Sequence, residues 1–96
     1  MKRPTKQEIE QEIADLKEIK PRVRRTSMFG DNHHDAIDAQ VTVLSERLTD
    51  DEIDERAEED DWADNVRDEA VSAAAWMRGE YEDYPSLVDA WKELAS

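Results

Sequence analysis

Large apolar side chains are scarce in this chain, and those present recur every three or four residues. About 25 of the 96 residues are large and apolar, because eleven of the hydrophobic positions are Ala. That spacing places them on single faces of helices, whereas strands would need strict alternation. The composition is otherwise that of a disordered chain, with 41% charged and 38% hydrophobic residues, and low hydrophobicity with high charge opposes collapse. The periodicity argues against disorder. The expectation is an all-α fold: one domain over residues 1–96, a compact bundle of four or five short helices, with residues 1–4 a flexible N-terminus.

Helix punctuation supports this reading. Thr5-Lys6-Gln7-Glu8 fits a capping box, in which the hydroxyl and the carboxylate satisfy each other's backbone amides. Ile9, Ile13, Leu16 and Ile19 or Lys20 then form a stripe, and Pro21 ends the helix because the residue before proline leaves the α region. Residues 21–30 read as a loop anchored by Val23, Met28 and Phe29. Asp31 or Asn32 can cap a second helix with the stripe Ile37, Val41, Leu44 and Leu48. Thr49 and Glu52 form a second capping box. The next stripe is Trp62, Val66, Ala70, Ala73 and Met77, flanked by Trp76, with Gly79 suited to a C-cap. Ser86 can cap a last helix carrying Leu87, Trp91 and Leu94. Whether residues 50–61 and 62–78 form one bent helix or two is open. Trp62, Trp76 and Trp91 read most simply as core. So small a core is marginal, and a homodimer completing it is one alternative.

The formal net charge of -13 is unevenly spread. Residues 1–30 carry eight basic and five acidic side chains, a net of +3, and residues 31–96 carry a net of -16. Between Asp50 and Asp61 only Ile53, Arg56 and Ala57 are not acidic. Direct nucleic-acid binding is disfavoured, since that affinity comes from Lys and Arg on phosphates. No apolar run approaches the roughly 18 residues of a membrane span. Met1-Lys2-Arg3-Pro4 is followed by alternating charges, unlike a secretory signal. The chain has no Cys, which removes disulfides and thiolate chemistry.

Few residues point to catalysis. His33 and His34 sit among Asp31, Asp35 and Asp38, and His34 and Asp38 share a helix face at i, i+4, a spacing that can hold zinc. A metal-dependent enzyme centred on His33, His34 and Asp38 is therefore one alternative. No second ligand cluster accompanies them, and capping with solvation is the simpler account. The serines lack a nucleophile-elbow motif, and no Gly-rich phosphate loop is present. Paired carboxylates would need one of them buried with a raised pKa, and most here lie in solvated-looking runs. The expectation is a non-enzymatic protein without a cofactor.

The acidic run is the most unusual feature. It could simply keep a small domain soluble. Carboxylates on a helix can also be spaced about as far apart as duplex phosphates, so this surface could occupy the basic patch of a host protein as a nucleic-acid mimic. Glu52, Glu55, Glu59, Asp60 and Asp64 are the candidate partner-binding residues. The basic stretch Arg22-Val23-Arg24-Arg25 is either a site or an internal counter-charge.

The stretch Pro21-Arg22-Val23-Arg24, Ser27-Met28-Phe29-Gly30-Asp31-Asn32-His33, Ala36-Ile37-Asp38-Ala39-Gln40-Val41, Val43-Leu44 and Asp51-Glu52-Ile53 resembles a group of small uncharacterised proteins of bacteriophages and enterobacterial prophages. The resemblance implies a bacterial cytoplasmic setting and a phage accessory role. It brings no catalytic or binding residues.

Overall fold

Both capping boxes form. Thr5 Oγ1 accepts from Glu8 N at 3.1 Å and Thr5 N donates to Glu8 Oε1 at 3.1 Å; Thr49 and Glu52 repeat the exchange at 3.3 and 3.0 Å. They open α1 (Lys6–Ile19) and α3 (Asp50–Glu59) of a computed structural model that describes residues 3–23, 32–81 and 86–95. The other α-helices are α2 (Asn32–Glu46), α4 (Asp64–Met77) and α5 (Leu87–Lys92). The fold is all-α, as the periodicity requires. Pro21 does not end the chain's helical course outright; it sits in one 3₁₀ turn, Lys20–Arg22, that follows α1. Its fixed φ suits the first turn of such a helix. Arg24, Arg25, Met28, Phe29 and Asp31, the Asn32 side chain, and Met1 and Lys2 of the N-terminus lie outside the described residues.

Residues 50–61 and 62–78 are two helices. The break at Asp60–Ala63 is a Schellman closure: Asp61 takes φ 55° and Trp62 N donates to Ala57 O at 2.9 Å. Gly79 at φ 76° closes α4 in the same way, with Glu80 N on Ala75 O at 2.8 Å and Gly79 N on Trp76 O at 3.0 Å. α2 ends on Arg47 at φ 54°, with Leu48 N on Val43 O at 3.2 Å. A left-handed residue lets the next amide reach back to an orphan carbonyl.

The core sits where α2 packs along α4, with α1 on α2, α5 on α1, and α3 laid on α4. Leu16, Ile37, Val43, Leu44, Ile53, Val66 and Leu87 are fully enclosed. The radius of gyration is 12.7 Å, against about 12.5 Å for a folded chain of this length. Among the described residues the only strand-like contact is an isolated bridge between Val23 and Ala95, and no helix is long and apolar enough to cross a membrane.

Several core positions differ from the sequence-based stripes. Glu12 and Gln40 are buried, whereas Ile13 and Val41 are only partly buried. Of the three Trp, Trp91 is core, and Trp62 and Trp76 are half-buried against it. Leu94 lies beyond α5 and is exposed. The reason is length: α5 spans six residues, so it has no further turn to carry Leu94 back onto the core.

Glu12 explains how so short a helix docks. Ser86 Oγ donates to its carboxylate at 2.7 Å, and Leu87 N donates to it at 3.2 Å. Ser86 Oγ also accepts from Val88 N at 3.2 Å. A side chain of α1 thereby closes the N-terminus of α5, satisfying amides that a helix start leaves open.

Candidate functional site

α3 is acidic yet well attached, because its two flanks are clamped by arginines. Ile53 faces the core and is its one buried residue. On one flank Arg67 Nε donates to Asp54 at 2.7 Å and Arg78 Nη1 donates to Asp50 at 3.2 Å. On the other, Arg56 Nη2 donates to Glu46 of α2 at 2.8 Å. Arg78 also pairs with Glu80. These bonds hold both guanidiniums further into their charged range, Arg56 mainly through Glu46 and Arg78 mainly through Glu80. The clamps fix the helix rotation and turn the remaining carboxylates outward.

Glu52, Glu55 and Glu59 lie at i, i+3 and i+7 on that outer face and are exposed. Glu52 is occupied by the capping box, and Glu59 lies 3.9 Å from Arg56. Among the described residues no ion pair engages Glu55, Asp60 or Asp64. Asp64 is exposed in the first turn of α4. Asp60 is placed differently. It lines a groove of about 380 Å³ with Asp61, Asp35, Asp38 and Trp62. Ala39, Ala63 and Val66 add an apolar floor. The acidic surface thus crosses from the end of α3 onto α2 and contains an aromatic platform.

The His33, His34 and Asp38 set is dispersed. His34 Nε2 stands 2.9 Å from Val23 O; a carbonyl only accepts, so that nitrogen carries the proton. Asp38 pairs with Lys20 at 2.9 Å, and Arg22 lies 3.8 Å from Glu18. Among the described residues no group of three or more His, Cys, Asp or Glu could hold a metal.

His33 belongs to a second site, built from residues that no motif in the sequence connects. Trp91 Nε1 donates to Gln40 Oε1 at 2.8 Å, and Gln40 Nε2 donates to Glu69 O at 3.1 Å and to Glu69 Oε2 at 3.3 Å. Indole only donates, so this chain fixes which end of the Gln40 amide faces which partner. The His33 ring stands edge-on to Trp91 at 5.8 Å. Around this chain lies a pocket of about 270 Å³, lined by His33, Asn65, Glu69, Ala90, Trp91 and Leu94 among others. Burial pushes the Glu69 carboxyl above its usual range; Asp68 adds to the shift and His33 opposes it. Gln40 was legible in principle, as a polar residue in register with Ala36, Ile37, Val43 and Leu44. Glu69 gives no such signal, being one carboxylate among many.

No family model matches the chain, and no curated protein or solved structure shows significant similarity to it.

Proposed function

We propose that this is a small non-enzymatic accessory protein of phage type that acts by protein–protein contact in the cytoplasm of a bacterial host. Its acidic surface docks on a basic patch of a host protein, in the sharp form as a nucleic-acid mimic. The observation that carries this reading is the groove at the end of α3, where Asp60 and Asp61 line one wall with Asp35 and Asp38 of α2 around Trp62, Asp38 being paired with Lys20. Arg and Lys offer a charged head on a long apolar stem. Carboxylates and an indole lining one groove match both parts, since cations are also attracted to the indole face. The Arg clamps add preorganisation, which lowers the ordering cost of binding.

The test is competition. A host DNA-binding protein that captures the chain at about 50 mM salt and releases it at about 300 mM fits an electrostatic contact, because exposed charges are screened over that range. The chain should then displace duplex DNA from that protein. Combined Glu52→Gln, Glu55→Gln, Glu59→Gln and Asp60→Asn should abolish the displacement, while Gln at position 52 preserves the capping box. Displacement undiminished in the fourfold variant would sink the reading.

A further inference from the structure

The acidic surface leaves the pocket around Glu69 unused, on the flank of α4 opposite the Arg67 clamp. Glu69 is a partly desolvated carboxylate with a fixed geometry. Gln40, itself 1% exposed, holds one of its oxygens, and Trp91 holds Gln40. A carboxylate accepts about four hydrogen bonds, so acceptor capacity is left for a ligand. Among the described residues neither Lys nor Arg pairs with Glu69 or lines the pocket. Among the described residues His33 opposes the upward shift of the carboxyl. Apart from Asn65, the rest of the wall among the described residues is apolar. Trp91 has spent its single N–H on Gln40 and offers only ring carbons, with Ala90 beside it and the exposed Leu94 among the wall residues. The volume of about 270 Å³ falls below the roughly 300–1,000 Å³ of pockets that enclose drug-sized ligands.

We propose that this pocket binds an aliphatic cation, an alkylammonium or alkylguanidinium group, with Glu69 as counter-ion, Asn65 as polar neighbour, and Trp91, Ala90 and Leu94 as the wall for the alkyl stem. A desolvated carboxylate gains most from a cation, and the wall selects a short apolar stem over a bare inorganic ion. The net charge of -13 raises the local concentration of any such cation. The site is separate from α3, so its failure would leave the docking reading untouched, and the reverse also holds.

The experiment is an NMR titration of the full chain with n-butylguanidinium, with N-acetyl-arginine N-methylamide, and with butyrate. It is run at about 100 mM salt, where the Debye length is about 10 Å and general attraction is muted. Saturable shifts of the His33, Asn65 and Trp91 indole resonances are expected with the first probe, and none with butyrate. Glu69→Gln, nearly isosteric and still able to accept from Gln40 through its backbone carbonyl, should weaken binding about tenfold or more, as loss of a charge-assisted partner does. Leu94→Ala, at an exposed position, should weaken it several-fold, and Glu55→Gln on α3 should leave it unchanged. Binding of both guanidinium probes identifies a partner's side chain as a source; binding of n-butylguanidinium alone identifies a small molecule. The proposal is overturned if no probe saturates, if Glu69→Gln binds as tightly as the natural chain, or if butyrate moves the same resonances.

Discussion

At the scale of single residues, two polar side chains among the described residues occupy core positions, and each has a structural use with a measurable signature. Glu12 is 4% exposed. Burial raises its carboxyl above the ordinary 4.5, while the bonds from Ser86 and Leu87 pull it back and Asp15 and Asp89 add to the rise. Desolvation therefore outweighs the hydrogen bonds. A folded value above the unfolded one means that the contribution of Glu12 to stability is fully present below about pH 4.5 and is lost as pH climbs through the folded value. At pH 7 the buried charge is a cost. Glu12→Gln, which can still accept from Leu87 N, should then match or exceed the natural chain in Tm at pH 7, and that difference should shrink toward pH 4.5. Thermal melts across this range check it; a Glu12→Gln variant less stable at pH 7 than at pH 4.5, relative to the natural chain, would reverse the sign. Gln40 makes the complementary case. Gln40→Leu strands the buried Trp91 N–H and should cost about 1–3 kcal/mol, whereas replacing both partners by apolar groups restores consistency. A double-mutant cycle with Trp91→Phe should give a combined loss smaller than the sum of the two single losses, read by urea denaturation.

At the scale of elements, the ends of helices carry information that their faces do not. Among the described residues three helices close through a left-handed residue, at Arg47, Asp61 and Gly79, and glycine occupies one of the three. For a residue with a Cβ that conformation costs roughly 1–2 kcal/mol, partly offset by the lower chain entropy of a non-glycine residue when unfolded. Gly79→Ala should therefore lose about 1 kcal/mol, and Arg47→Gly should gain up to about 0.5 kcal/mol, both measured as shifts in the denaturation midpoint. Asp61→Gly should gain less, since Asp tolerates the left-handed region better than Arg. The same contrast shows what could be read from residue order. The two capping boxes and Gly79 were legible because Thr, Glu and Gly have specific roles at helix ends. Arg47 and Asp61 were not, because only the position of Leu48 and Trp62, apolar residues just after the turn, betrays those closures. The faces of α1 and α2 were legible to within one residue. The apolar spacing selects Ile13 and Val41, and the fold buries Glu12 and Gln40 beside them because long-range partners on α4 and α5 satisfy their polar atoms. Outward exposure of Glu52, Glu55 and Glu59 followed from their spacing. The groove at Asp60 and the pocket at Glu69 did not, because each is assembled from helices distant in sequence.

At the scale of the whole molecule, opposing electrostatic terms act on the same fold, and salt separates them. The clamps Arg56–Glu46, Arg67–Asp54 and Arg78–Asp50 favour the native state, but their side chains are partly exposed. Such pairs contribute little individually and weaken as ionic strength rises. Against them stands the repulsion of a net charge of -13 held within a body of 39 × 31 × 20 Å. At about 0.01 M salt the Debye length is about 30 Å, comparable with those dimensions, so nearly every carboxylate feels every other. At about 0.1 M it shrinks to about 10 Å, which silences distant repulsions but spares contacts of 3 Å or so. Repulsion summed over the surface is thus relieved first, while the clamps persist. Unfolding also relieves repulsion by separating the charges, so screening removes part of the drive to unfold. The Tm should rise as NaCl increases from about 10 mM to about 150 mM. Arg67→Gln should lower Tm at both concentrations, since it both breaks the bond to Asp54 and makes the net charge more negative, and its deficit should narrow in salt. A Tm that falls steadily with added NaCl would mean that the clamps outweigh the collective term, and that α3 is held against the core by those three arginines more than by the burial of Ile53.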